Sequence, residues 1–244
     1  MEPLSLRSMK FTILKALSAN SKQHKINLIG RPYQQGGLEY HLNRRFETED
    51  RVQADRAFEE LKADGLICPT YDDLVDPENW VEITEAGRRA IERHALDDLD
   101  WVLQRISPHL VELRDGAWAA IASRRPDAIR QAAHSGRELI DQTLRIGASD
   151  TEVKAQPGFT SDPSSNSGIT RRHRIMHLMK KYCGRISDTD LNVVEKACDL
   201  VLAVDRRLMA LAHASQMPPL MDVQDSLRCA EIALRRILVD STTV

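Results

Sequence analysis

The 244-residue sequence predicts a mainly α-helical protein in two parts: a helical domain carrying one small β-hairpin, then an all-α helical bundle. Over most of the chain the apolar residues recur at steps of three and four, the period of an amphipathic helix. Two short β-like pieces, 66–70 and 80–83, stand on either side of a polar Asp/Pro-rich loop. After residue 85 no strand-like alternation competes with the helical period. We therefore predict domains at 1–94 and 95–244.

The first domain opens with three segments of different character. "FTILKALSAN" (11–20) has the apolar spacing of a short amphipathic helix, and "HKINLIGRPY" (24–33) is a brief β-like stretch closed by Pro32. "GGLEYHLNRRF" (36–46) predicts a second helix after a glycine turn. The order so far is helix, short extended stretch, helix.

A third helix and the hairpin follow. Thr48 is a suitable N-cap for a helix over 49–64, and Gly65 ends that helix. The predicted buried stripe of this helix comprises Val52, Ala54, Ala57, Phe58 and Leu61. The hairpin lies within 66–84, and Thr84 caps the next helix, which we expect to run over 85–106.

Residues 8–94 resemble bacterial winged helix-turn-helix regulators. The motif that carries the resemblance is "AFEELKADGLICPT…WVEITEAGRRAI" (57–70 and 80–91). The resemblance implies that helix 49–64 is a recognition helix for the DNA major groove. Candidate nucleic-acid-binding residues are Arg51, Gln53, Arg56, Arg44, Arg45 and, from the second domain, Arg174. The same helix is rich in Asp and Glu, and the hairpin loop "YDDLVDPEN" is acidic. These carboxylates would repel the phosphates of DNA. DNA binding and a protein-interaction or dimerisation role both remain open.

The second domain is helical in period over 108–122, 126–146, 170–182, 188–214 and 222–239. One break interrupts it, "GASDTEVKAQPGFTSDPSSNSG" (147–168), whose Gly, Ser, Asp and Pro content predicts a mobile loop. Thr170, just after this loop, is placed to cap a helix that begins at Arg171.

That helix begins with an unusual concentration of cations, "GITRRHRIMHLMKKY" (168–182). Cations are mildly unfavourable at a helix N-terminus, so the cluster indicates an anion, either a neighbouring carboxylate or a phosphate. Arg172-x4-His177 and Arg171-x5-His177 resemble the R-x4-6-H pattern of HEPN ribonucleases. That resemblance implies a homodimer that cleaves RNA without a metal. The histidine would move a proton and the arginine would stabilise phosphoryl charge.

Other residues compete for the same role. Arg206 or Arg207 with His213, and Arg88 or Arg89 with His94, also fit the spacing. On helix 126–146, His134, Arg137, Glu138 and Asp141 share one face, and we include His134 and Glu138 among the catalytic candidates. A salt-bridge network that only holds the bundle together is the alternative interpretation.

Composition limits the remaining classes of function. The net charge of −2 confines nucleic-acid contact to local patches, and 5% aromatic residues argue against base-stacking platforms. The four scattered cysteines form no zinc pattern, and we predict no metal, no cofactor, no membrane span and a cytoplasmic location. We interpret the chain as a defence or toxin effector that cuts RNA, and we predict a partner protein from the same system. The alternatives are a DNA-binding regulator and an accessory subunit of a defence complex.

Overall fold

The computed structural model describes residues 4–123, 125–184 and 188–239. The chain forms two compact units, residues 1–97 (unit 1) and residues 98–244 (unit 2). The described residues are mainly helical and include a small sheet, which confirms the coarse fold class predicted from the sequence. Within the described ranges, no helix is both long enough and apolar enough to cross a membrane.

Unit 1 alternates short helices with short strands. Its elements are α1 (Leu6–Ala19), β1 (Gln23–His24), α2 (Lys25–Ile29), β2 (Gly30–Arg31), β3 (Gln34–Gln35), α3 (Gly37–His41), α4 (Thr48–Ala63), β4 (Ile67–Pro69), β5 (Trp80–Ile83) and α5 (Glu85–Arg93). The hairpin expected within 66–84 is present, since β4 and β5 pair antiparallel with Ile67 opposite Ile83. β1 pairs with the other edge of β5, so the sheet order is β1-β5-β4.

The core of unit 1 forms where α1 and α4 pack on each other and on the sheet. Phe58 and Leu61 of α4 are fully buried, as are Ile13 and Leu17 of α1. Along β5, Val81 is buried and Glu82 is exposed, which is the alternation of a strand with one face on the core. As predicted, Thr84 caps α5, and its hydroxyl accepts a hydrogen bond from the Gly87 N–H at 3.1 Å.

Four local predictions in unit 1 are wrong. The β-like stretch 24–33 contains the helix α2 between residues of β1 and β2, and Val52 is 64% exposed because it lies on the face of α4 opposite Ala54 and Phe58. Thr48 is the first residue of α4 rather than its cap. The helix expected over 85–106 stops at His94, which adopts a left-handed φ of 53°.

Unit 2 contains only helices among its described elements. They are α6 (Asp98–Ile106), α7 (Pro108–Ser123), α8 (Pro126–Gly147), α9 (Asp150–Lys154), α10 (Arg171–Cys183), α11 (Asp188–Ala212) and α12 (Leu220–Leu238). The long helix α8 packs against α7, α10, α11 and α12. Gly136 permits this packing, because a Cβ there would lie 2.2 Å from a methyl carbon of Leu227 on α12.

The segment 147–168 has more structure than its composition indicated. It contains α9, whose Val153 is buried, and the Glu152 carboxylate accepts a hydrogen bond from the Ser149 N–H at 3.0 Å. Lys181 of α10 donates to Glu152 at 2.9 Å, and these donors lower the pKa of Glu152 to about 2. The first third of the predicted loop is therefore tied to α10, and high mobility stays a prediction for the remainder.

Candidate active site

Arg171, the first residue of α10, connects three helices of unit 2. Its Nη1 donates to Oδ2 of Asp205 on α11 at 2.6 Å, and its Nη2 donates to Oδ1 of Asp141 on α8 at 3.3 Å. The Thr170 hydroxyl caps this helix as predicted, accepting from the His173 N–H at 3.4 Å. The cap fixes where α10 begins and therefore where the Arg171 guanidinium lies.

Asp205 is an acidic residue inside the bundle. It interrupts the buried apolar stripe of α11, between Val201 and Leu208, and its side chain is 1% exposed. Its Oδ1 accepts no hydrogen bond from any described residue. The nearest cation to this oxygen beyond Arg171 is Arg137 of α8, whose Nε is 3.9 Å away, also buried and without a hydrogen-bond partner. The site thus holds two polar atoms whose hydrogen-bonding capacity is unused.

We call Arg137, Asp141, Arg171 and Asp205 the arginine–aspartate cluster. It is open on one side, because the Arg171 side chain is 34% exposed and that of Arg137 is 26% exposed. Arg145 extends the cluster toward solvent by pairing with Asp141 at 2.9 Å. A guanidinium group has five N–H donors. When some of them pair with carboxylates, the remaining exposed ones can still bind an oxyanion.

His134 and Glu138 lie on the same face of α8 as Arg137 and Asp141. The sequence predicted this face, and residues three and four apart on a helix are neighbours. His134 is exposed, and no described residue forms a hydrogen bond or ion pair with its ring. Glu138 is half-buried and accepts a hydrogen bond from Gln142 at 3.3 Å. His134 therefore presents its imidazole to solvent one helical turn from Arg137.

His177 lies in a different environment. It is 8% exposed, neither ring nitrogen has a hydrogen-bond partner among the described residues, and burial lowers its pKa. Positions five residues apart on a helix point about 140° apart, so Arg172 and His177 occupy different faces of α10. Arg172 is half exposed and pairs with Glu195 at 3.2 Å. The structure does not bring the Arg172–His177 pair together.

The remaining candidates of unit 2 are dispersed. Arg174 donates to the Ala148 carbonyl and to Asp150, next to α9. In the competing motif, Arg207 pairs with Asp222 of α12, while Arg206 and His213 are exposed. Among the described residues, no hydrogen bond or ion pair links the side chains of Arg206 and His213 to the arginine–aspartate cluster.

In unit 1 most candidate nucleic-acid-binding arginines are engaged by carboxylates. Arg44 pairs with Asp50 at 2.8 Å and Arg56 with Glu60 at 2.7 Å. Arg51 is directed inward, where it donates to the Ile29 carbonyl at 2.8 Å and pairs with buried Glu39 at 3.1 Å. Gln53 is partly buried and Arg45 is exposed. Arg51 is therefore placed to stabilise unit 1 rather than to reach a phosphate.

The sequence interpretation did not include Asp205 among the site residues, although a signal for it was present. An aspartate between Val201, Val204 and Leu208 lies on the apolar face of a helix, and a charge there requires a buried partner. Its cation comes from a helix 34 positions earlier, so the partner could not be identified from local spacing.

The fold and the cluster together define a unit that is helical over its described elements, with a charged, partly open site built across three helices. A family model for predicted pPIWI-associating nucleases matches residues 103–237, which is more than half of the chain and includes the whole cluster. The chain therefore belongs to the family of predicted pPIWI-associating nucleases. No curated protein and no solved structure matches it. Among the described residues, no three His, Cys, Asp or Glu side chains form a group that could hold a metal ion.

Proposed function

We propose that the chain is a defence-related nuclease that cleaves RNA at the arginine–aspartate cluster, without a metal, in association with a pPIWI protein. One observation carries the assignment of the site. Inside the segment that matches the nuclease family, Arg171 and Arg137 converge on buried Asp205, and both the Asp205 Oδ1 and the Arg137 Nε lack hydrogen-bond partners among the described residues.

The chemistry follows from the residue types. His134 takes the proton from a ribose 2′-hydroxyl, and the 2′-oxygen forms a bond to phosphorus while the bond to the 5′-oxygen breaks. The products are a 2′,3′-cyclic phosphate and a 5′-hydroxyl, which receives its proton from water. Arg171 and Arg137 stabilise the charge on the phosphoryl oxygens, and Asp141 and Asp205 hold Arg171 in place.

We infer that unit 1 is a winged helix-turn-helix module that contacts a partner rather than the DNA groove. Support comes from the β4–β5 hairpin, from the position of α4 directly before it, and from the pairing of Arg44, Arg51 and Arg56 with carboxylates. A cytoplasmic location and a homodimer also belong to this proposal.

The deciding experiment incubates the purified chain with labelled single-stranded RNA and with DNA of the same sequence, with EDTA or with Mg²⁺. We expect cleavage of RNA only, unaffected by EDTA. His134→Ala should lower the rate by about 10²–10⁴-fold without loss of folding, because its ring is exposed. The matched control, His213→Ala, removes the exposed histidine of the competing motif and should leave the rate unchanged.

Different results separate the parts of the proposal. If cleavage is lost in His213→Ala and kept in His134→Ala, the active site is instead the competing motif of Arg206 or Arg207 with His213. Cleavage of DNA alone, or cleavage abolished by EDTA, overturns the metal-independent RNA mechanism and leaves the nuclease family assignment intact.

A further inference from the structure

The loop between β4 and β5, residues 70–79, presents apolar side chains to solvent. Leu74 is 98% exposed and Val75 is 93% exposed, and Tyr71 nearby is 64% exposed. Single exposed apolar residues are common, but two adjacent aliphatic side chains at the tip of a hairpin are typical of a contact surface. We call this segment the hairpin loop.

Hydrogen bonds within the hairpin loop and to the flanking residues His24 and Trp80 order it. Asp73 accepts from the Val75 N–H at 2.8 Å and from the Trp80 indole N–H at 3.0 Å. Asp76 contacts the His24 ring at 2.9 Å and accepts from the Asn79 amide at 2.8 Å. A loop that is already ordered loses little conformational freedom when its tip binds a partner.

The surroundings of the hairpin loop are acidic. The segment 22–25 connects the loop to α4, since Lys22 pairs with Asp72 while Lys25 pairs with Asp55 and Glu59. Six carboxylates lie on the loop and this part of α4, namely Asp55, Glu59, Asp72, Asp73, Asp76 and Glu78. Three lysines, Lys22, Lys25 and Lys62, pair with members of this set, so the local balance of 3 minus 6 is −3. Such a surface repels phosphates and attracts a basic protein surface.

We infer that the hairpin loop is the docking element for the pPIWI partner, with Leu74 and Val75 entering an apolar pocket rimmed by lysine and arginine. The inference rests on the proposed association with a pPIWI protein and adds the surface that makes it. Apolar side chains at the centre and charge complementarity around them are the common anatomy of a specific protein interface.

The test measures the Kd between the full chain and the pPIWI protein of the same genome, by calorimetry or biolayer interferometry. The double variant Leu74→Asp/Val75→Asp should weaken binding by about 30-fold or more, since two aliphatic side chains lose their burial. Glu78→Lys should weaken it by several-fold, and this effect should shrink at high salt. Neither variant should change thermal stability or RNA cleavage, because both alter exposed side chains.

The matched control is Tyr33→Asp, which places a carboxylate at another fully exposed apolar position of unit 1, in the turn between β2 and β3. Wild-type-like affinity of Tyr33→Asp with weakened affinity of the double variant supports the inference. Unchanged affinity of the double variant overturns it and leaves the association standing. Absence of binding by the wild-type chain overturns the association and the docking role together. Loss of duplex DNA binding in the double variant would assign the loop to nucleic acid instead.

Discussion

The Arg51 network of unit 1 and the arginine–aspartate cluster of unit 2 both place an arginine beside a buried carboxylate. In unit 1, the Glu39 side chain is 1% exposed and accepts from the N–H groups of Gly36 and Phe46 as well as from Arg51. Burial alone would raise the pKa of Glu39, but these donors outweigh it and lower the pKa. Arg51 satisfies its other side with the Ile29 carbonyl.

In the arginine–aspartate cluster of unit 2, the buried carboxylate is not fully hydrogen-bonded. Asp205 is equally buried, yet its Oδ1 and the nearby Arg137 Nε have no hydrogen-bond partner among the described residues. The Arg171 side chain is 34% exposed, against 15% for Arg51. The Arg51 network satisfies its buried carboxylate from within unit 1, whereas the cluster of unit 2 leaves hydrogen-bonding capacity beside a partly exposed guanidinium, and this difference supports the proposal that the cluster binds a ligand.

Among the variants that compare the two networks, Arg171→Ala should have the largest effect, because it lowers both the cleavage rate and the stability. Cleavage should fall by about 10²–10³-fold, as charge stabilisation of the transition state is lost. Stability should also fall by about 3–5 kcal/mol, because Asp205 remains buried without its cation. Single-turnover rates on folded protein and urea unfolding measure the two losses separately.

Arg171→Lys is the companion variant. It keeps a positive charge near Asp205, so we expect most of the stability to return and only part of the rate, because an ammonium group cannot copy the planar guanidinium fork. A lysine variant with the wild-type rate would show that the guanidinium geometry has no part in catalysis.

Glu39→Ala should lower the stability of unit 1 without lowering the cleavage rate. Removing this carboxylate leaves Arg51 without its counter-charge and two N–H groups without an acceptor, at a cost of about 3 kcal/mol in unit 1. The cleavage rate of the folded protein should stay unchanged. A rate loss as large as that of Arg171→Ala would remove the distinction between the structural network and the reactive one.

The sequence predicted well the features that depend on residues close together in the chain. Helix α10, its Thr170 cap, the β4–β5 hairpin and the shared face of His134 and Arg137 all follow from spacing and capping within a few residues. The resemblance drawn from Arg172 and His177 has less support, because a short arginine–histidine pattern does not specify which face of a helix is buried. The partnership of Arg171 with Asp205 depends on how helices pack, which single-sequence periodicity does not encode.

A smaller effect is expected at His177. Its pKa is lowered by burial, so the folded state favours the neutral ring while the unfolded chain takes up a proton below about pH 6.5. The stabilising contribution of neutral His177 is therefore complete above that pH and is lost as pH falls through the lower pKa of the folded state.

The variant His177→Leu tests this sign and the catalytic role together. Wild-type Tm should drop further than the variant's between pH 7.5 and pH 5, because only the wild-type chain has a ring at this position that takes up a proton on unfolding. The variant's cleavage rate at pH 7.5 should remain within about twofold of wild type, since a buried ring is not positioned to reach substrate. Abolished cleavage in a folded variant would restore His177 as the proton-transfer group.

The smallest effect should be that of Arg172→Ala, one position from the variant with the largest. Arg172 and Glu195 form a pair in which both side chains are about half exposed, and such pairs contribute roughly 0–1 kcal/mol. Because Arg172 pairs with Glu195 and not with Asp141 or Asp205, we expect near-wild-type cleavage and a Tm within about 2 °C of wild type. Side-by-side rates for Arg171→Ala and Arg172→Ala measure this directly. If Arg172→Ala instead lost as much activity as Arg171→Ala while staying folded, the Arg172–His177 motif would be the reactive one, with its histidine reached only after a conformational change.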